Sequence, residues 1–385
     1  MATVYLHIGT MKTGSSALQS FLEENKDLLA KKGYAFPVFK DIGIKSNFNF
    51  RNAHFLVGEK DTPKENLEIK KKAYAKLEKI VKEFDKIILT DEVIWHRVLQ
   101  GENDFQRIIE EFKQIGCDVK VIVYLRRQDT MVESMYNQLV KSNQMVTKKF
   151  MEHLPNIRKC FPLNYYEHLE KIKSAVGKEN LIVRVYEKEQ FEGTDHSIYS
   201  DFLKVVGLSL TDEFKIQRAA ENFGIYGNYI EIKRIINGLP EYKEAQDFMS
   251  RPIRAASAYD SEKDLHSNMS LFEPDELKEF MSEFEEINRK VAKEYLGRED
   301  GVMFREPVGN LPTWRLDQDT MYESILLVMA ASLSAQEKKI QKQNEEIAKL
   351  NERLNALETT GGANVCVIRK ICRKVKRIIK SILKK

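Results

Sequence analysis

The sequence predicts an α/β fold: a doubly wound parallel sheet with helices on both faces, followed by a C-terminal coiled coil and a basic amphipathic helix. Residues 4–25, VYLHIGTMKTGSSALQSFLEEN, run from an apolar stretch (Val4, Leu6, Ile8) through Gly9 to helical spacing at Leu18, Phe21 and Leu22, which is strand, tight turn, helix. Further strand-like runs alternate with helical patterns, as a parallel sheet covered on both faces requires. From Leu326 the apolar residues change to a seven-residue repeat.

The remaining strands are expected at 33–37 (GYAFP), 86–90 (KIILT), 118–126 (DVKVIVYLR) and 180–187 (NLIVRVYE). Ligands of such sheets sit beyond the carboxyl ends of the strands, so the segments after Ile8, Thr90 and Leu125 are candidate site walls. Residues 195–300 read as mostly helical, and FEPDELKEFMSEFEEINRKVAKEYLG carries Phe280, Phe284, Ile287, Val291 and Tyr295 along one face that should pack on the domain and close it. The α/β domain is expected over 1–310.

A coiled coil is expected over 322–358. Leu326, Leu333, Ile340, Ile347 and Leu354 form the repeat, Met329, Leu350 and Leu357 fill the intervening position, and Gln336 and Gln343 interrupt it. A linker, 359–363 (TTGGA), should end the helix. In the last segment, 364–385, Ile368, Ile371, Val375, Ile378 and Ile382 fall at steps of three and four among Lys and Arg, the pattern of a basic amphipathic helix.

With 385 residues, 42% hydrophobic and 31% charged, the chain has apolar content for one large or two ordinary cores. The four cysteines, Cys117, Cys160, Cys366 and Cys372, form no C-x-x-C pair and have no zinc-type His spacing, so a reducing compartment and no metal are expected. The N-terminus enters the first strand without a signal-like apolar region, and no 18-residue apolar stretch spans a membrane. The net charge of +4 becomes −5 without the nine Lys and Arg of the last 22 residues, so the globular part is a poor nucleic-acid binder.

The turn after the first strand is a ready site for a phosphate or sulfate, because it aims backbone N–H groups and the positive end of a helix at one point; its ordinary reading is a βα turn with a solvated lysine. GTMKTGSS has the Gly9–Gly14 separation of the phosphate loop G-x-x-x-x-G-K-[ST], but Ser15 replaces its lysine and Lys12 lies inside the turn. The loop is P-loop-like without being an ATP or GTP loop. Lys12 would hold its ammonium beside the anion while Thr13, Ser15 and Ser16 offer hydroxyls and Gly14 lets the backbone approach. In VIVYLRRQDTMVESMYNQ, Arg126 ends a strand and Ser134 follows eight residues later in a helix, where both could grip a second phosphate.

Together, HIGTMKTGSSALQ and YLRRQDTMVES resemble the two nucleotide-binding elements of sulfotransferases that use 3′-phosphoadenosine 5′-phosphosulfate (PAPS). The first element has the form K-T-G-[ST]-[ST], matched by Lys12, Thr13, Gly14, Ser15 and Ser16, and the resemblance assigns it the 5′-phosphosulfate. The Arg126 and Ser134 pair matches the element that holds the 3′-phosphate. NYYEHLEKIKSAVGKENLIVRVYE and FEPDELKEFMSEFEEINRKVAKEYL resemble later segments of the bacterial carbohydrate branch, so the likeness covers roughly 1–305 and implies a carbohydrate acceptor. The Arg-Lys-Gly triplet of the small-molecule branch is missing, which leaves the rest of the 3′-phosphate grip undefined.

Sulfuryl transfer needs a base for the acceptor proton and cations where charge develops on the leaving phosphate. Lys12 is placed for the second role. Glu92, in TDEVIW at the end of KIILT, is the first candidate base, and His54 in RNAHFLVG the rival; Asp91 and His96 follow. The resemblance implies a Glu or a His here without locating it. Each also has an ordinary structural reading, Glu92 as a helix-start carboxylate and His54 as a satisfied buried histidine.

The basic tail reads as an anchor on an anionic membrane surface, and the heptads as a homo-oligomer seam. An enzyme so tethered would be cytoplasmic, peripheral on the inner face of the plasma membrane, and suited to a lipid-linked surface-glycan precursor. Two other classes stand beside this one: a nucleotide or sugar kinase, and a non-catalytic scaffold with a decayed transferase domain. Asp317 and Asp319 in DQD lie outside the α/β region and are discounted as metal ligands.

Overall fold

The structure, a computed structural model, describes residues 1–42, 50–58, 63–97, 104–142, 144–193, 195–216, 224–239, 246–262 and 269–360. The basic segment 364–385, with Cys366 and Cys372, lies outside the described residues. The first half of the chain runs β1 (Ala2–His7), α1 (Ser15–Glu24), α2 (Lys26–Lys31), β2 (Tyr34–Ala35), α3 (Pro63–Ile80), β3 (Lys86–Thr90), α4 (Val93–Arg97), α5 (Asp104–Gln114), β4 (Cys117–Leu125) and α6 (Gln128–Lys141). The second half adds α7 (Phe150–Cys160), α8 (Tyr165–Val176), β5 (Leu181–Val185), α9 (Ile198–Val205), α10 (Asn228–Asn237), α11 (Gln246–Glu262), α12 (Pro274–Ser282), α13 (Glu285–Leu296) and α14 (Gln318–Thr360).

Among the described residues the five strands form one all-parallel sheet in the order β2-β3-β1-β4-β5. Alternation along β1 explains why both faces must be covered. Val4 and Leu6, with Ile8 beyond, pack with Ala73 and Leu77 of α3, Phe112 of α5 and Leu169 of α8. Tyr5 points the other way, toward Leu18, Phe21 and Leu22 of α1 and Phe202 of α9. Neither face retains a solvated side, which is why these strands read as unbroken apolar runs rather than alternating ones.

A third apolar cluster gathers α6, α7, α10, α11, α12 and Val328 of α14. The segment expected as one amphipathic helix is two, because the chain breaks at Glu283–Phe284 between α12 and α13. The break lets its stripe serve two cores: Phe280 and Phe284 join the helical cluster, whereas Val291 joins the sheet core. A second boundary also moves. Helix α14 includes Thr359 and Thr360, the first two residues of the expected linker, since two threonines cost a helix only a few tenths of a kcal/mol each and the glycines come after them.

The strand order decides where the site lies. From β1 the chain moves outward to β2, returns to β3 on one side of β1, then crosses to β4 on the other. The ends of β3 and β4 therefore flank the turn after β1, and a crevice opens there.

Candidate anion-binding and catalytic site

The turn after β1 is held open by left-handed residues: Gly9 (φ 115°), Lys12 (φ 66°) and Gly14 (φ 71°). Such a backbone turns successive N–H groups to one side. Lys12 lacks the freedom of glycine and occupies this region at a cost of about 1 kcal/mol, a strain that cores tolerate where it serves a site. Gly14 is required twice over, since a Cβ there would also stand 3.1 Å from the Tyr186 hydroxyl. Gly14→Ala is therefore expected to lose about 2 kcal/mol, read as a lower urea midpoint at unchanged slope.

Helix α1 begins directly after Gly14, with no side-chain cap among the described residues and no acid in its first turn. Its first N–H groups and its positive end face the turn uncompensated. The hydroxyls behave differently from expectation. Thr13 Oγ1 donates to the Thr10 carbonyl at 2.5 Å, and Ser15 Oγ approaches the same oxygen at 3.5 Å, so both knit the loop to itself. Ser16 is exposed and makes no side-chain hydrogen bond among the described residues.

On the β4 side, Arg126 meets the loop. Its Nη1 donates to the Lys12 carbonyl at 2.7 Å and its Nε to Thr130 Oγ1 at 3.1 Å, and its guanidinium lies 5.8 Å over the Tyr186 ring. Lys12, Arg126 and Ser134 line one cavity of about 250 Å³ with Thr130, Glu133, Asn137, Lys141 and Tyr226. The two sequence motifs, more than 100 residues apart, form one site. Among the described residues Lys12 Nζ reaches only Gln138 Oε1, at 3.5 Å. Burial first, then the charges of Lys141 and Arg126, push the Lys12 ammonium down to about 8, against the pull of Glu92. Burial and the nearby Arg254 likewise lower Lys141. Burial raises the Glu133 carboxyl, although its Oε1 accepts the Ser270 hydroxyl at 2.7 Å and the Leu271 N–H at 2.5 Å.

On the β3 side the expected bases join a network that the sequence did not reveal. Asn52 fixes it: its amide donates to Pro37 O and Ile88 O, both at 3.0 Å, and its carbonyl accepts Thr90 N–H at 2.8 Å. This pins the neighbouring Arg51 and His54 against β3. Arg51 Nη2 donates to Asp91 Oδ1 at 2.5 Å and His54 Nδ1 to Asp91 Oδ2 at 2.6 Å. Asp91 is fully buried; burial alone would raise its carboxyl, but the His54 hydrogen bond and the Arg51 charge outweigh that and hold it below the usual carboxylate range. Glu92 Oε2 accepts Gln19 Nε2 at 2.7 Å and lies 3.7 Å from Arg51 Nε, while the Glu92 backbone packs on Gly9. Asn52→Ala is expected to cost about 2 kcal/mol, because it orphans buried backbone groups, and to lower the thermal midpoint accordingly.

Other candidates fall elsewhere. His96 stacks on Phe161 at 4.9 Å and has no hydrogen bond to the Asp91–Glu92 group among the described residues. Asp317 Oδ1 accepts Thr320 N–H at 2.9 Å, as the cap of α14. Among the described residues no group of three or more His, Cys, Asp or Glu could hold a metal. Four residues of the site have no role assigned from the sequence: Arg51, Gln19, Lys141 and His7, the last buried under the loop and pushed down to about 4 by that burial. Only Lys141 left a signal, since Thr130, Ser134, Asn137 and Lys141 repeat at the i, i+4, i+7, i+11 spacing of one helix face.

No family model matches the chain. A protein of Archaeoglobus fulgidus described only as uncharacterized is 28% identical over 195 residues, covering 49% of this chain and 48% of that protein. The chain thus spans about half the length of this curated relative.

Proposed function

We propose that the protein is a PAPS-dependent sulfotransferase with a P-loop-like, doubly wound domain, acting on a hydroxyl of a carbohydrate. The observation that carries this reading is the junction of Lys12 and Arg126 in one cavity at the switch point of the sheet. A turn with helix-end N–H groups and an internal lysine suits a phosphosulfate, and an arginine with a serine across the cavity suits a second phosphate. A nucleotide with phosphates at both ends fits both; ATP would leave Arg126 and Ser134 without work.

In the transfer, the acceptor oxygen attacks sulfur in line with the bridging oxygen. The new O–S bond forms as the S–O bond to the leaving phosphate breaks, and the acceptor proton passes to a carboxylate or imidazole. Lys12 neutralises charge on the departing adenosine bisphosphate. Glu92 is the base on this reading, oriented by Gln19 and seated against Gly9; His54, held by Asp91, is the alternative. With a glycan acceptor, Glu92→Gln is expected to lower kcat at least 100-fold with bisphosphate affinity unchanged. A larger loss in His54→Ala, with Glu92→Gln near normal, would move the proton to His54.

The exposed stripe of α14 supports self-association. Leu326 and Leu333 are each 64% exposed and Ile340 50%, on a helix of 43 residues that extends about 64 Å. A coiled coil with a second copy would bury them. The basic segment 364–385 would then carry the assembly to an anionic inner membrane face. Among the described residues no helix is long and apolar enough to cross a membrane. Sedimentation with anionic vesicles that persists after deletion of 364–385 would remove the anchor from this picture.

A further inference from the structure

The donor cavity holds more positive charge than its two motifs supply. Lys141 ends α6 seven residues after Ser134 and lines the same cavity as Lys12 and Arg126. It has no hydrogen bond or ion pair among the described residues. Arg254 of α11 is its neighbour in charge, and Lys141 acts in turn on Lys12, which Arg126 also repels and Glu92 attracts. The one carboxylate in the lining, Glu133, spends Oε1 on Ser270 and Leu271, tying α6 to the opposite wall. Among the described residues, three half-buried cations face a cavity whose single lining carboxylate, Glu133, hydrogen-bonds to Ser270 and Leu271, an arrangement that water solvates poorly and that an anion relieves.

We propose that Lys141 is a phosphate ligand of the donor site, the second cation on the sugar-borne 3′-phosphate, and that it sets the preference for a 3′-phosphorylated nucleotide over one phosphorylated only at 5′. This rests on the donor reading above and supplies the grip that the missing Arg-Lys-Gly triplet left undefined. Lys12 belongs to the turn at the end of β1, which the donor reading gives to the 5′ group, whereas Lys141 lies two helical turns beyond Ser134 on α6, the helix that the same reading gives to the 3′-phosphate. A lysine at a helix C-terminus also complements the dipole, so stability alone cannot distinguish a ligand from a cap.

The test is calorimetric titration of the full chain and its Lys141→Met and Lys141→Arg variants with adenosine 3′,5′-bisphosphate and with 5′-AMP. The expected result is a bisphosphate affinity lowered roughly 10- to 100-fold in Lys141→Met, as for loss of a charge-assisted contact, with 5′-AMP affinity within about twofold of the parent and most of the loss restored in Lys141→Arg. Equal losses for both nucleotides, or no loss for either, would overturn the assignment while leaving the donor reading intact. If the parent protein binds neither nucleotide, the donor reading falls and this inference falls with it. Unchanged circular dichroism and a single cooperative thermal transition in the variants keep misfolding out of the comparison.

Discussion

Lys12→Met is expected to abolish measurable binding of adenosine 3′,5′-bisphosphate and, in the absence of ligand, to make the folded protein more stable. Both effects have one cause. Lys12 is largely buried beside Lys141 and Arg126, and burial first, then those charges, bring its ammonium down to about 8. The folded chain therefore binds a proton there less readily than the unfolded chain, whose lysine titrates near 10.4. Where the unfolded state holds more protons, stability rises with pH. The penalty is complete below about pH 8 and fades between about 8 and 10. Some water still reaches the group, so about 2 kcal/mol is the magnitude expected at neutral pH. Methionine fills the same stem without the charge and keeps the left-handed strain, so the gain isolates the electrostatic part. Urea denaturation at pH 7 and pH 10 checks it: the variant should be more stable than the parent at pH 7 and nearly equal at pH 10. A variant less stable at pH 7 would show that the ammonium is not a desolvated cation awaiting an anion.

Asp91→Asn should have the opposite sign and a larger size, about 3 kcal/mol of lost stability at neutral pH. The carboxylate takes hydrogen bonds from Arg51, His54 and the Val93 N–H, the last at 2.8 Å, and it is fully buried. An amide of the same shape keeps at most part of that set and leaves the guanidinium with Glu92 at 3.7 Å as its remaining acid in this group. Because the Asp91 carboxyl is held below its usual value, its contribution is present above about pH 4 and disappears as pH falls through the lower folded value. The parent should therefore lose stability on acidification over that range, and Asp91→Asn should show a flatter acid limb. Chemical denaturation from pH 7 to pH 3 separates the two. A parent and variant with parallel acid limbs would mean that Asp91 is not the charged centre of the network.

These two residues show how differently the site was written in the chain. Lys12 was legible as a candidate, because it lies inside a turn between an apolar strand and a helix, and because Gly9 and Gly14 bound that turn at positive φ. Arg126 and Ser134 were legible for the same reason: a strand end followed by a helix start fixes their separation locally. Asp91 was visible only as one acid of a pair after β3. Its role depends on Arg51 and His54, which come from a loop about 40 residues earlier. No local pattern records that pairing. Lys141 is intermediate, on a helix face the sequence displays but opposite a wall it does not.

Local chemistry in the chain settled the strands, the turn after β1 and the long C-terminal helix, since each rests on residue periodicity and backbone freedom within a few positions. Tertiary structure decided the rest. The order β2-β3-β1-β4-β5 put the ends of β3 and β4 on either side of the β1 turn, and the packing of helices on the sheet split the late amphipathic segment between two cores and brought three cations to one cavity. Strand order is set by which apolar faces pack together and by how crossover helices return to the sheet, interactions between distant segments that leave no periodic trace in any one of them.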